Sequence, residues 1–183
     1  PASRMSASSA PYRVKLLLSL DGGEAESVIE VHPEWAPLGA QRFADLLKAH
    51  YFDGCRFHRV VPGFIIQWGI PGDPQLYAQW GDNKIRDDPV VVNNAKGTIA
   101  FATSEPNARG SQMFVNLADN SSSLDGQGFA PFAIVVEGFE NFDRVHAGYA
   151  SRGPDQAMAK THGNAYLTRD FPNLSFIKSA TII

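Results

Sequence analysis

Hydrophobic positions along the first third of the chain change period. In VKLLLSL (14–20), Val14, Leu16, Leu18 and Leu20 alternate, the two-residue repeat of a strand with one buried face. Asp21-Gly22-Gly23 reads as a turn and SVIEVH (27–32) as a second strand, so the pair predicts a hairpin. Pro37 then opens a stretch in which Ala40, Phe43, Leu46 and Leu47 fall at helical spacing while Gln41, Arg42, Asp45 and Lys48 face away, which predicts a helix. Strand-type runs follow at 55–61, 64–69, 97–103, 112–118 and 132–137, separated by Gly, Pro, Asn and Asp. Phe139, Phe142, Val145 and Tyr149 predict a second amphipathic helix over 138–149, and Pro154 and Gly163 bracket a short third one. SFIKSATII (175–183) is strand-like and expected to pair back with an early strand. The Ser/Ala-rich residues 1–11 are expected to form a disordered lead, and 12–183 one all-β domain: a closed antiparallel barrel with a few helices.

Composition narrows the function classes. The chain has 183 residues, enough for one domain with a sizeable core. Sixteen Lys and Arg against 19 Asp and Glu give a net charge of −3, with no basic block, which argues against a nucleic-acid or anionic-membrane surface. No stretch reaches the roughly 20 apolar residues of a membrane span. The single cysteine, Cys55, excludes an internal disulfide framework and is compatible with the cytosol. PASRMSASSAP at the start has no apolar core of a signal peptide. It begins with Pro, so a secretory or periplasmic address stays open alongside the cytoplasm.

The usual reactive groups are missing. The five histidines, His32, His50, His58, His146 and His162, form no His-x-x-x-His pair, and one Cys cannot supply a structural zinc set. There is no Gly-x-Ser-x-Gly elbow and no phosphate-cradling glycine loop. Cys55 and His58 invite a nucleophile–base reading. Residues three apart on a strand point to opposite faces, so a buried thiol and a hydrogen-bonded histidine are expected instead. Asp87-Asp88 precedes Pro89 and reads as an exposed turn. Trp35, Trp68 and Trp80 are expected to pack rather than to form a binding platform. No cofactor or metal is implied: the chain is a binding module, or its chemistry needs none.

FHRVVPGFIIQ (57–67) sets Arg59 among core-type residues, where a cation is costly unless something uses it. Four segments occur in order: FHRVVPGFIIQ, GTIAFATSEPNARGSQMFVNLADN (97–120), LDGQGFAPFAIVVEG (124–138) and GNAYLTRDFPNLSFIKSA (163–180). Together they resemble the cyclophilin-type peptidyl-prolyl isomerases over residues 14–183, in a branch common in bacteria and some algae and protists. The resemblance implies an eight-stranded closed antiparallel barrel with two or three capping helices. It also implies a cofactor-free enzyme that rotates X–Pro bonds in proline-containing peptides and proteins and assists their folding, expected to act as a monomer. The rival expectation is a proline-peptide binding module with incidental turnover.

The same resemblance assigns roles by position. Arg59 is the catalytic cation and Gln67 orients it. Phe64, Ile65, Phe114 and Leu124 form the apolar pocket for the proline ring. Ala102, Thr103 and Ser104 form a strand edge that pairs with substrate main chain, and Gln112 lies beside the pocket. Asn107 and Arg109 fall on a loop where the family has a secondary pocket, or on a solvated turn. Two departures stand out: Ser123 occupies the family's tryptophan position and Phe129 its histidine position. With an indole and an imidazole lost from the rim, turnover is expected to persist while cyclosporin binding is expected to be weak.

Overall fold

A computed structural model describes residues 10–183, so nine residues of the lead expected to be disordered lie outside the described residues. Strands β1 (Tyr12–Leu20) and β2 (Gly23–Val31) form the expected hairpin, paired from Tyr12↔Val31 to Leu20↔Gly23. The other strands are β3 (Cys55–Arg56), β4 (Arg59–Val61), β5 (Ile65–Trp68), β6 (Thr98–Phe101), β7 (Met113–Asn116), β8 (Ala133–Glu137) and β9 (Phe176–Ile182). They make one antiparallel sheet in the order β3-β9-β1-β2-β8-β6-β7-β5-β4, and β9 pairs back onto β1 as expected.

Among the described residues the sheet is a curled barrel with nine strands rather than eight, and the reason lies in the run 55–61. It breaks at Phe57-His58 into two pieces that pair with opposite ends of the sheet, β3 with β9 and β4 with β5. No ladder joins β3 to β4. The chain itself bridges the seam, with the Phe57 amide donating to the Ser175 carbonyl at 3.0 Å.

Strand periodicity fills the barrel. Val14, Leu16 and Leu18 of β1, Ile66 and Trp68 of β5, Ile99 and Phe101 of β6, and Met113 and Val115 of β7 all enter one buried cluster. Helix α1 (Pro37–Lys48) caps it through Ala40, Phe43, Leu46 and Leu47. Ala36 offers no side-chain cap, and the Leu38 and Gly39 amides instead donate to the Asp88 carboxylate at 3.0 and 2.8 Å. Asp88 also pairs with Arg109 at 3.1 Å. Both are nearly inaccessible (5% and 3%), which corrects the expected exposure of Asp88, while Asp87 stays partly exposed, and rules out a solvated turn at Arg109.

Two helical expectations change, and one helix was not expected. Residues 138–149 form a 3-10 turn over Phe139–Arg144 followed by extended Val145, not an α-helix. Phe139, Phe142 and Val145 are spaced by three, which is the 3-10 repeat. Helix α2 (Pro74–Trp80) escaped the periodicity reading because it has only 7 residues; its signals are Asp73, which caps the Gln75 amide, and Pro74 in the first turn. After a short α3 (Ser121–Leu124), helix α4 (Gln156–Asp170) breaks at Gly163, near which the third helix was expected to end, and continues beyond it. Gly163 sits at φ 58°, and a Cβ there would lie 2.2 Å from the Gly72 carbonyl oxygen. Only glycine admits that approach. The contact locks α4 against the segment that enters α2, with the Asn164 amide donating to Gly72.

Trp68 is buried in the barrel core. Trp80 packs against the same core beneath the Arg42 guanidinium, and Trp35 stacks on His32 at 3.9 Å. All three tryptophans are thus engaged in packing.

Candidate functional site

The outward face of the strands that fill the barrel carries the site. Strand register aligns Arg59↔Gln67, Gln67↔Phe114 and Ala100↔Phe114 across β4, β5, β7 and β6. Residues directly opposite one another on paired strands share a face. These four side chains therefore form one row on the outside of the sheet. The neighbouring row, Val60↔Ile66↔Val115↔Ile99, points into the core.

Phe114 and Ala100 of that row belong to an apolar cluster with Ile65 and Leu124, distinct from the barrel core, with Phe64, Ala102 and Phe129 packed against it. Phe129 meets Phe114 edge-on, ring centroids 5.5 Å apart. The cluster floors a groove of about 560 Å³. All eleven residues assigned from sequence line this groove: Arg59, Gln67, Phe64, Ile65, Gln112, Phe114, Leu124 and Phe129, and the Ala102, Thr103 and Ser104 edge. Ser123 does not line it; its hydroxyl bonds the Asn120 carbonyl.

The Arg59 guanidinium is exposed at the rim and donates to Gln67 Oε1 at 3.2 Å. Among the described residues no carboxylate lies within ion-pair distance of it, although twelve such contacts involve other groups. Ala102 donates its amide to Gln112 O at 2.9 Å, so at that residue only the carbonyl is free for a strand-like partner. The Thr103 hydroxyl turns away into its own loop, donating to Glu105 O.

The walls are held by polar groups that the sequence reading missed. Asn120 donates to the Phe64 carbonyl at 2.9 Å, and Asn94 to the Phe129 carbonyl at 2.9 Å. Asn116 joins them, bonding both Asn94 and Asn120. These amides fix the backbone behind two pocket rings. For Asn94 and Asn120 the only sequence signal was an adjacent Asn or Asp, which loops commonly carry, and Asn116 at the end of β7 lacked even that. Gln112 is placed by its neighbour: Ser111 donates to the Gly69 carbonyl at 2.8 Å and accepts from the Tyr51 hydroxyl at 2.7 Å. Gly69 sits at φ 117°, where a Cβ would lie 2.2 Å from the Ser111 carbonyl oxygen. Arg42 clamps the same loop, donating to the carbonyls of Gly110 and Asn83.

The far half of the groove was also unanticipated. Tyr77 of α2 donates to Asp82 at 3.0 Å, Lys84 pairs with Glu105 at 3.6 Å, and Gln156 and Lys160 reach in from α4. Burial and the adjacent Asp82 push the Tyr77 phenol up. Nothing here resembles a ligand cage: among the described residues no group of three or more His, Cys, Asp or Glu is arranged to hold a metal ion.

Cys55 and His58 are not a catalytic pair. Cys55 is buried, donates its thiol to the Ile70 carbonyl, and is pushed up to about 12 by burial, so no thiolate is available near neutrality. His58 is buried behind Arg59 beside Gln112 and the Arg56 main chain. Against expectation, neither ring nitrogen reaches good hydrogen-bond geometry. Burial pushes its pKa down to about 4, assisted by the Arg59 and Lys160 charges.

Comparisons with known proteins agree with this architecture. The family described as cyclophilin type peptidyl-prolyl cis-trans isomerase/CLD matches residues 17–163. Peptidyl-prolyl cis-trans isomerase A of Dickeya dadantii is 35% identical over 135 residues, covering 71% of this chain and 70% of that protein. The ppi1 isomerase of Schizosaccharomyces pombe is 37% identical over 123 residues, covering 64% and 77%. A crystal structure of a cyclophilin type isomerase from Cryptosporidium parvum shares the fold with a TM-score of 0.66 at 21% identity, over 95% of this chain and 98% of that one. A second structure of that protein, obtained in the presence of the dipeptide Ala-Pro, gives 0.64 at 22% identity, over 93% and 98%.

The buried histidine makes stability depend on pH. An unfolded histidine titrates near 6.5, so between there and about 4 the unfolded chain takes up a proton that folded His58 refuses. Its contribution is complete above pH 6.5 and is lost on acidification, by about 1.4 kcal/mol per pH unit at most. Urea unfolding from pH 4.5 to 7.5 should show a shallower acid slope for His58→Leu than for wild type. Equal slopes would assign that proton uptake elsewhere.

Proposed function

The chain belongs to the cyclophilin-type peptidyl-prolyl cis-trans isomerase family, and from that premise we propose that Arg59 catalyses rotation of X–Pro bonds held in the groove beside it. The activity is that of the family, cis–trans interconversion of peptidyl-prolyl bonds, in the service of protein folding. Rotation faces a barrier of about 18–20 kcal/mol because resonance gives the C–N bond double-bond character. The two planar forms of an X–Pro bond differ by only about 0.5–1 kcal/mol, so both are populated and exchange slowly.

At the twisted transition state the prolyl nitrogen loses conjugation and its lone pair becomes a hydrogen-bond acceptor. A guanidinium aimed there binds the twisted form better than either planar form, and this difference lowers the barrier without a covalent step. The observation that carries the reading is Arg59 itself, projecting beside an apolar hollow, oriented by Gln67 and without a carboxylate partner among the described residues. Ile65, Phe114 and Leu124 suit a proline ring, while Phe64 and Phe129 close its sides. The Ala102–Ser104 edge receives an extended peptide by strand addition, with Ala102 accepting through its carbonyl. Small or apolar residues before proline fit this arrangement.

In a protease-coupled assay with a proline-containing peptide, wild type should be fast and Arg59→Ala slower by about 10²–10³-fold, with the fold intact by circular dichroism. Equal rates would leave a proline-peptide binding module. Cyclosporin should bind weakly, because Phe129 offers no ring N–H donor at the rim and Ser123 does not line the groove. A low-nanomolar dissociation constant from fluorescence or calorimetric titration would contradict that expectation.

A further inference from the structure

The hydrogen bond from Arg59 is the first link of a longer chain. Gln67 Nε2 donates to Gln112 Oε1 at 2.8 Å, and Gln112 Nε2 donates to Gln156 Oε1 at 3.3 Å. Donor and acceptor capacity fixes the direction of this relay. A guanidinium only donates, so Gln67 must present its oxygen to Arg59 and its nitrogen to Gln112. Gln112 must then present its oxygen to Gln67 and its nitrogen to Gln156. Turning any one amide over sets two donors or two acceptors face to face.

The last acceptor stands on a firm base. Gln156 is the first residue of α4, preceded by Asp155, whose carboxylate accepts from the Met158 amide at 3.0 Å. The Asp155 amide in turn donates to the Tyr166 hydroxyl at 3.1 Å. Ala159, Tyr166 and Leu167 anchor the helix in a second apolar cluster with Ile70, Tyr77 and Leu174. That cluster is distinct from the barrel core, so α4 supplies a fixed point outside the sheet that carries Arg59.

We propose that Gln156 is a positioning residue for the isomerase: its carboxamide oxygen terminates the relay and, through Gln112 and Gln67, holds the Arg59 guanidinium in one orientation at the groove. This rests on the reading of Arg59 as the catalytic cation. Gln156→Met removes the acceptor while keeping the length of the side chain. Gln156→Glu keeps an acceptor and therefore the direction of the relay.

Steady-state kinetics on a proline peptide should show kcat lowered about five-fold in Gln156→Met, the scale of one neutral hydrogen bond, with KM nearly unchanged. Gln156→Glu should restore kcat, and Met158→Ala on the same helical turn should match wild type. A spectrum of the arginine side chains with ¹⁵N labelling gives a readout independent of turnover. The Arg59 Nε–Hε signal should be sharp in wild type and Gln156→Glu and shifted or broadened in Gln156→Met. An unaltered Arg59 signal in Gln156→Met, or equal losses in the Met and Glu variants, overturns the relay. A wild type without isomerase activity sinks the reading of Arg59 instead, and the spectrum still decides the relay.

Discussion

One register ties the barrel to its site. Because strand side chains alternate between faces, pairing Arg59 with Gln67, Gln67 with Phe114 and Phe114 with Ala100 puts a cation, an amide and an apolar hollow on one outer surface. The interleaved row Val60, Ile66, Val115 and Ile99 is packed into or against the core. A slip of one residue would exchange the two rows, exposing the aliphatic set and burying Arg59. Burial of the inner row thus fixes the register that builds the outer one. Core and groove are two faces of the same four strands.

Catalysis by differential binding also requires that the groove be rigid before substrate arrives. Several connections serve that end, and they converge on segments with little regular structure. Asn94, Asn116 and Asn120 tie the backbone behind Phe64 and Phe129. Ser111, Tyr51 and Arg42 hold the loop that presents Gln112. The buried Asp88–Arg109 pair joins the start of α1 to the segment leading into that loop. Most of these link residues far apart in sequence, so the groove inherits its shape from the whole domain.

Most of the fold and half of the groove were legible in the sequence. Alternation and turn residues marked nearly every strand, and the resemblance assigned eleven residues that share one cavity. What escaped was set by geometry that spacing does not encode. The run 55–61 looked continuous because nothing local shows that its halves pair with opposite sheet edges. Phe139, Phe142 and Val145 at intervals of three were read as an α-helix rather than a 3-10 turn. Asp88 and Arg109 looked solvated because each offsets the other's burial across a 21-residue gap. Gln156 and Lys160 reach the groove from an α4 that docks against Gly72 through Gly163, a tertiary contact that local spacing does not announce.

The central claim is that Arg59 favours the twisted amide over either planar form. It is tested most directly by exchange spectroscopy on a proline peptide bound to wild type and to Arg59→Lys, reading affinity and cis–trans exchange rate from the same samples. Lysine keeps the charge but lacks the planar fork of donors. The account predicts nearly unchanged affinity with exchange on the enzyme slowed by at least about ten-fold. Affinity and exchange falling in step, or exchange left unchanged, would contradict it.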